Sequence, residues 1–187
     1  MTKDEQRVAK SHNRFAFIIP VYNHAETVAQ VVSETLALGY PVFVVDDGST
    51  DETPQRLAEV KGINLLHHSE NEGKGAAILT GFMAASHSAD YVITIDADGQ
   101  HDPKDALKLI NAIPAKKRPI IIGAREGMTA SLGAHIPWTS RFGRKFSNFW
   151  VHAAGGPVLS DTQSGMRVYP LPEAACLGVA ARRFQFE

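Results

Sequence analysis

The order of the apolar runs constrains this chain more than any other feature. "RFAFIIPVYN" is a short apolar stretch closed by Pro20 and Asn23, and "AETVAQVVSETLALG" follows with Val28, Val31, Val32 and Leu36 at helical spacing before Gly39. "PVFVVDDGSTD" is a second apolar run, continuous enough to be buried on both faces, and "ETPQRLAEVK" reads as a short helix. "INLLHHSEN" is a third strand, and "GKGAAILTGFMAASHS" a helix whose small residues allow close packing on a sheet. "DYVITIDAD", "DPKDALKLINAI" and "RPIIIGARE" continue the pattern as strand, helix and strand. Strict alternation of this kind predicts an α/β domain with a mostly parallel sheet and helices on both faces. In such sheets ligands gather beyond the carboxyl ends of the strands. Those ends hold Tyr22 and Asn23, Asp46 and Asp47, Asp96 and Asp98, and Arg125. After Arg125 the pattern loosens into "EGMTASLGAHIPW", an aromatic and basic stretch, and "LSDTQSGMRVYP".

Composition narrows the function classes. With 187 residues, 44% of them hydrophobic, the expectation is one domain over 15–187 behind a polar leader, 1–14. A formal net charge of -1 excludes a whole-surface binder of nucleic acid or anionic membrane, so charge effects must be local. The single cysteine, Cys176, excludes an internal disulfide and a thiolate zinc site, and a reducing, cytoplasmic compartment is the default. The leader, mixed in charge, is not a secretory signal, and no apolar stretch approaches the roughly 20 residues that span a bilayer. The last residues, "RRFQFE", read as a strand or its lead-in, so the expectation is a domain cut short at its C-terminus.

The strand end "DYVITIDADGQHDP" asks for a cation. Asp96 and Asp98 lie two apart and both can turn towards one point beyond the strand. An all-oxygen set without thiolates selects Mg²⁺ or Mn²⁺, with Gln100 or His101 as a further contact. Mg²⁺ usually completes its shell with water and substrate phosphates, so a phosphorylated substrate is implied. The plainer reading is a turn and helix cap, which suits Asp102 before Pro103. In "VVDDGSTD" the second pair can accept from a base N–H or from ribose hydroxyls, while Tyr22 offers a stacking face and Glu26 another acceptor; the plainer reading is an Asp47-Gly48 turn and an Asp51 cap. Other motifs fail. A haloacid dehalogenase wants Thr or Val where Gly99 stands, an EF-hand wants an acid where Gln100 stands, and "NEGKGAA" lacks the Ser or Thr of a P-loop. His67 and His68, adjacent after a strand, point to opposite faces and make a poor zinc pair.

Taken in order, "IIPVYNHAET", "VVDDGSTD", "NEGKGAA", "TIDADGQHDP", "IIGAR" and "SDTQSGMRVY" resemble the family 2 glycosyltransferases of GT-A fold. The likeness is to the branch with dolichyl-phosphate mannose synthase and the polyprenyl-phosphate transferases, and it runs from about Phe15 to the last residue. Each motif is weak alone; six in order are specific. The resemblance implies a nucleotide pocket at Pro20, Tyr22, Asn23, Glu26, Asp46 and Asp47, with Lys74 of the "NEGKG" loop and Asp96 beside it. It implies a metal motif at Asp96 and Asp98, joined by Gln100. Arg125 would face the phosphates, with Arg141 or Arg144 as the second basic residue, and Asp98, Arg125 and Arg141 as the catalytic set. "DTQSG" would place Asp161, Gln163 and Ser164 on the acceptor side.

That likeness implies an inverting, metal-dependent transfer of a hexose from a UDP- or GDP-sugar to a polyprenyl or dolichyl phosphate, with no nucleic acid partner. The departing diphosphate needs a divalent cation. A hydroxyl acceptor needs a general base, whereas a lipid phosphate is already ionised. No dedicated base stands out in the tail, which favours the phosphate. In "WTSRFGRKFSNFW", Phe142, Phe146, Phe149 and Trp150 recur at helical spacing beside Arg141, Arg144 and Lys145. Such a helix suits a membrane interface, and the expected location is cytoplasmic, peripheral on that face of a membrane; packing of the aromatics on the sheet is the alternative. Two other functions compete: transfer to a saccharide hydroxyl, and a non-catalytic nucleotide-sugar-binding fragment.

Overall fold

The computed structural model describes residues 13–123 and 164–176. They form a six-stranded sheet of order β3-β2-β1-β4-β6-β5. β1 (Phe15–Val21) lies near the middle, all seven of its residues buried. It pairs in parallel with β2 (Val42–Asp46) on one side and β4 (Tyr91–Thr94) on the other. β3 (Asn64–His67) adds in parallel outside β2. β6 (Arg167–Pro170) runs antiparallel to both β4 and β5 (Ile121–Ile122), so β5 runs with β1–β4 and only β6 is reversed. The expectation of a mostly parallel sheet holds. The antiparallel insertion was not expected: β6 is four residues long, too short to show a period of its own, and its place is decided by pairing with β4, which is remote in sequence.

Side-chain alternation along β1 builds two cores. Phe15, Phe17, Ile19 and Val21 face one side, where Val28, Val31 and Val32 of α1 (Val28–Leu36) and Leu109 and Ile110 of α4 (Ala106–Ala112) cover them. Leu57 of α2 (Thr53–Ala58) joins that layer. Ala16 and Ile18 face the other side, against Ile78, Phe82 and Ala85 of α3 (Lys74–Ala85). The small residues of α3, among them Gly75, Ala77 and Gly81, are buried against the sheet, as their spacing leads one to expect. The apolar run of β1 is unbroken because both of its faces are covered.

The two edges of the sheet differ in charge chemistry. At the amino ends, Arg14 bonds Asp90 through its backbone N–H at 2.8 Å and its guanidinium at 3.1 Å. Arg118 stacks 4.6 Å above the Tyr91 ring and bonds Glu173 at 2.7 Å. The Arg14 hydrogen bond holds the Asp90 carboxyl below the usual range, and Arg118 does the same for Glu173. The carboxyl ends carry the acids of interest.

Candidate active site

A cavity of about 630 Å³ opens at the carboxyl ends of β1, β2 and β4, a size suited to a small organic ligand. Pro20, Tyr22 and His24 from the loop after β1 line it, with Asp47 after β2, Asn71, Gly73 and Lys74 at the start of α3, and Asp96 and Asp98 after β4. The three parallel strands end at one edge, so residues up to 78 apart in sequence meet there.

The loop after β2 is tied down by its own acids. Asp47, 2% exposed, accepts from the backbone N–H of Glu72 at 3.0 Å and of Gly73 at 2.8 Å. His68 Nδ1 sits 2.7 Å from the same carboxylate, and its Nε2 lies 2.9 Å from the Thr80 hydroxyl. Asp46 accepts from Ser49 N–H at 3.1 Å and meets His67 Nδ1 at 3.2 Å. The two adjacent histidines thus serve different carboxylates. Just after the two acids Gly48 has a φ of +72°, and a Cβ there would lie 2.5 Å from the Glu70 carbonyl carbon, so the turn admits only glycine. Asp51 caps the turn into α2 by accepting from Thr53 N–H at 2.9 Å, and that threonine holds its carboxyl below the usual range.

The loop after β1 leans on the same turn. Asn23, with φ +55°, accepts Thr50 N–H on its side-chain oxygen at 2.8 Å, and its own N–H donates to the Ser49 hydroxyl at 3.0 Å. Its amide is spent on joining the two loops, and this shapes the wall that Tyr22 and His24 present.

The acids after β4 are held differently. Asp98 Oδ1 accepts from Gln100 N–H at 2.9 Å, a local turn, and Asp102 accepts from Lys104 N–H at 2.9 Å, the expected cap. Lys74 Nζ donates to Asp96 Oδ2 at 3.1 Å and lies 3.0 Å from Oδ1, which is buried yet receives no aligned hydrogen bond. Among the described residues no cluster of three or more His, Cys, Asp or Glu could by itself enclose a metal. The set still fits a hard divalent cation: two carboxylates line one cavity, one buried oxygen has an ion-pair neighbour but no aligned hydrogen bond, and water and phosphate would complete the shell.

Of the residues expected at the site, Pro20, Tyr22, Asp47, Lys74, Asp96 and Asp98 line this cavity. Asp46, 3% exposed, is turned into the loop below. Asn23, exposed Glu26 and exposed Gln100 lie off its lining. Ser164 is fully buried, its hydroxyl accepting Met166 N–H at 3.3 Å in the turn before β6. Arg125, Arg141, Arg144, Asp161 and Gln163, the aromatic stripe of 138–150 and the terminal "RRFQFE" lie outside the described residues. Sequence reading missed His24, Asn71 and the supporting role of His68. The first two sit within quoted motifs and were findable there; His68 showed only as half of an adjacent pair.

Comparison with known proteins now decides the family, because the profile of glycosyl transferase family 2 matches residues 16–170. The chain belongs to glycosyl transferase family 2. It is 32% identical over 154 residues to an uncharacterized protein of Methanocaldococcus jannaschii, covering 81% of this chain and 63% of that one. It is 29% identical over 188 residues to the UDP-N-acetylglucosamine–dolichyl-phosphate N-acetylglucosaminyltransferase of Methanococcus voltae, covering 91% of this chain and 74% of that one. Glucosyl-3-phosphoglycerate synthase of Mycobacterium tuberculosis, solved with Mn²⁺, UDP and phosphoglyceric acid, superposes with a TM-score of 0.63 at 18% identity. That match covers 90% of this chain and 60% of the solved one, and it shows the GT-A fold. The family 2 chain thus spans about three fifths of the solved enzyme and of the Methanocaldococcus relative. No helix among its described residues is long and apolar enough to cross a membrane.

Proposed function

We propose that this glycosyltransferase moves a hexose from a UDP- or GDP-sugar to a polyprenyl or dolichyl phosphate, at the cytoplasmic face of a membrane, with Mg²⁺ or Mn²⁺ at Asp96 and Asp98. One observation carries the donor half. The carboxylates after β4 line a cavity of about 630 Å³, with one buried oxygen lacking an aligned hydrogen bond beside the Lys74 ammonium. The acceptor half is supported by the relatives: the Methanococcus enzyme is named for dolichyl phosphate, and a polyprenol monophosphomannose synthase of Mycolicibacterium smegmatis is 27% identical over 174 residues.

The chain's own residues divide the work. Tyr22, 42% exposed at the cavity mouth, offers a ring face to a base. Asp47 fixes the backbone of Glu72 and Gly73, and so the start of α3 and the place of Lys74. Lys74 gives the diphosphate a charge-assisted partner. Asp96 and Asp98 would hold the cation, which when bound supplies charge neutralisation to the departing diphosphate. A lipid phosphate attacks already ionised, so the cavity needs no general base. Arg125 and Arg141, or Arg144 in its place, would steer that phosphate.

The test is a thermal-shift panel of UDP, GDP, CDP and ADP, each with Mn²⁺ and with EDTA, followed by sugar transfer to a short-chain polyprenyl phosphate. A nucleotide at about 100 times its Kd adds roughly 2.7 kcal/mol, a rise of roughly 5 to 10 °C in a domain this size. The expected result is a Mn²⁺-dependent rise with one nucleoside diphosphate and sugar recovered on the lipid. No rise with any nucleotide overturns the donor assignment. Sugar recovered only on a saccharide hydroxyl overturns the acceptor assignment.

A further inference from the structure

The antiparallel strand β6 brings a second segment to the carboxylates. Because Thr94 at the end of β4 pairs with Arg167 at the start of β6, the turn before β6 lies beside the residues just after β4. That turn is Ser164–Gly165, part of the segment whose resemblance pointed to the acceptor. Its geometry points elsewhere. A methyl group built on Gly165 would fall inside the Asp96 carboxylate, overlapping both oxygens. Gly165 is not among the glycines with positive φ, so what it provides here is space and not backbone freedom.

The turn is held from several directions. The Thr94 hydroxyl donates to the Gly165 carbonyl at 2.9 Å, and Arg167 Nε donates to the Ser164 carbonyl at 2.8 Å. The Ser164 hydroxyl accepts Met166 N–H. Thr94, Ser164 and Arg167 are all buried. On its other side Asp96 meets the Lys74 ammonium at 3.0 and 3.1 Å. The carboxylate therefore occupies a slot between a bare Cα and a cation. A side chain at position 165 can be admitted only if something moves, and the loosest member is the Asp96 side chain.

We infer that Gly165 is a positioning residue for the cation, setting the Asp96 carboxylate against the cavity by leaving room for it. The inference rests on the reading of Asp96 as a cation ligand. It gives the glycine of "DTQSG", to which the resemblance assigned no role, a part in donor-cation placement.

The experiment compares the full chain with Gly165→Ala and Thr94→Val, the second keeping shape while removing the hydroxyl that anchors the turn. Mn²⁺ binding is titrated by electron paramagnetic resonance with and without UDP, and UDP binding is measured separately in EDTA. Gly165→Ala should weaken Mn²⁺ binding in the presence of UDP by about tenfold or more, the usual range when the support of a metal ligand is lost, with UDP binding in EDTA unchanged. Thr94→Val should weaken it in the same direction by about fivefold, the loss of one hydrogen bond. Wild-type Mn²⁺ affinity in Gly165→Ala overturns the inference, as does an equal loss of UDP binding in EDTA. If Gly165→Ala does not fold, wild-type Mn²⁺ affinity in folded Thr94→Val overturns it. A wild-type chain that binds no Mn²⁺ even with UDP overturns the cation reading, and the inference with it; intact metal dependence in wild type alongside an unaffected variant overturns the inference alone.

Discussion

Two acidic pairs stand at the same edge of one sheet, and the protein treats them in opposite ways. Asp46 and Asp47 after β2 are almost fully buried, and backbone N–H groups and histidines occupy their oxygens. Asp96 and Asp98 after β4 are partly exposed, share a cavity, and leave one buried oxygen without an aligned donor. The first pair spends its charge on building loops. The second lines the cavity, Asp96 against the Lys74 ammonium and Asp98 on the Gln100 N–H. Carboxylates at strand ends are thus not equivalent evidence of a site; what separates them is whether the fold has already satisfied them.

Substitutions at each pair test that contrast. Asp98→Ala should lower sugar transfer by about 10²-fold or more, since a Lewis-acid cation supplies several kcal/mol to such a step. In EDTA its stability should fall by no more than roughly 1 kcal/mol, the worth of one local hydrogen bond. Calorimetry beside a transfer assay checks both halves, and an Asp98→Ala chain with undiminished transfer would contradict the division of labour. Asp47→Ala should show the reverse balance. Removing a buried carboxylate leaves two backbone donors and His68 without their partner, which costs about 3 kcal/mol. That is a fall of roughly 6 to 12 °C in a chain of this length, with metal affinity per folded molecule preserved.

A finer test addresses Lys74, which lies between the two pairs. If its ammonium screens Asp96, Lys74→Met should bind Mn²⁺ alone more tightly, by about fivefold for a partly exposed ion pair of about 1 kcal/mol. The same variant should bind UDP more weakly in EDTA. No change in either would mean that Lys74 is a bystander, and undiminished UDP binding would remove its role toward the diphosphate.

The smallest effect belongs to the opposite edge. Asp90 has a folded-state pKa lowered by the Arg14 hydrogen bond, and Glu173 by that of Arg118. Groups lowered in this way add stability that is complete above their unfolded pKa, near 4, and is lost as pH falls through the folded value. Melting temperatures of wild type and Asp90→Asn should therefore differ at pH 6 and begin to converge only as pH falls from about 4 towards the lowered folded-state value. Nucleotide affinity in the variant should match wild type at neutral pH, because the contact lies at the far end of the strands.

Most of the architecture was legible in the order of residues. Unbroken apolar runs such as "AFIIPV" and "VFVV" mark strands covered on both faces, and the valines of α1 recur where one face of a helix must be buried. The site's chief acids were legible too, because chemistry at the end of a buried strand stands out against the apolar run before it. β6 was not legible as a strand, and so neither was the meeting of Gly165 with Asp96. Its four residues have no helix or strand period to read, and their partner lies more than 70 positions away. Nor was it visible that Asn23 and Ser164 would bond backbone N–H groups while Tyr22 and Lys74 line the cavity.

What the sequence by itself determined is the alternating α/β order, the acids at strand ends and the likeness to family 2 glycosyltransferases. These are properties of local periodicity and ordered motifs, which need no knowledge of what touches what. Tertiary structure alone decided which acids are buried among backbone donors and which line the cavity, and which glycine gives Asp96 its room. Satisfaction of a carboxylate is a matter of donors within about 3 Å, and the chain supplies the remote ones from the end of β3 and the start of α3, segments brought near only by folding.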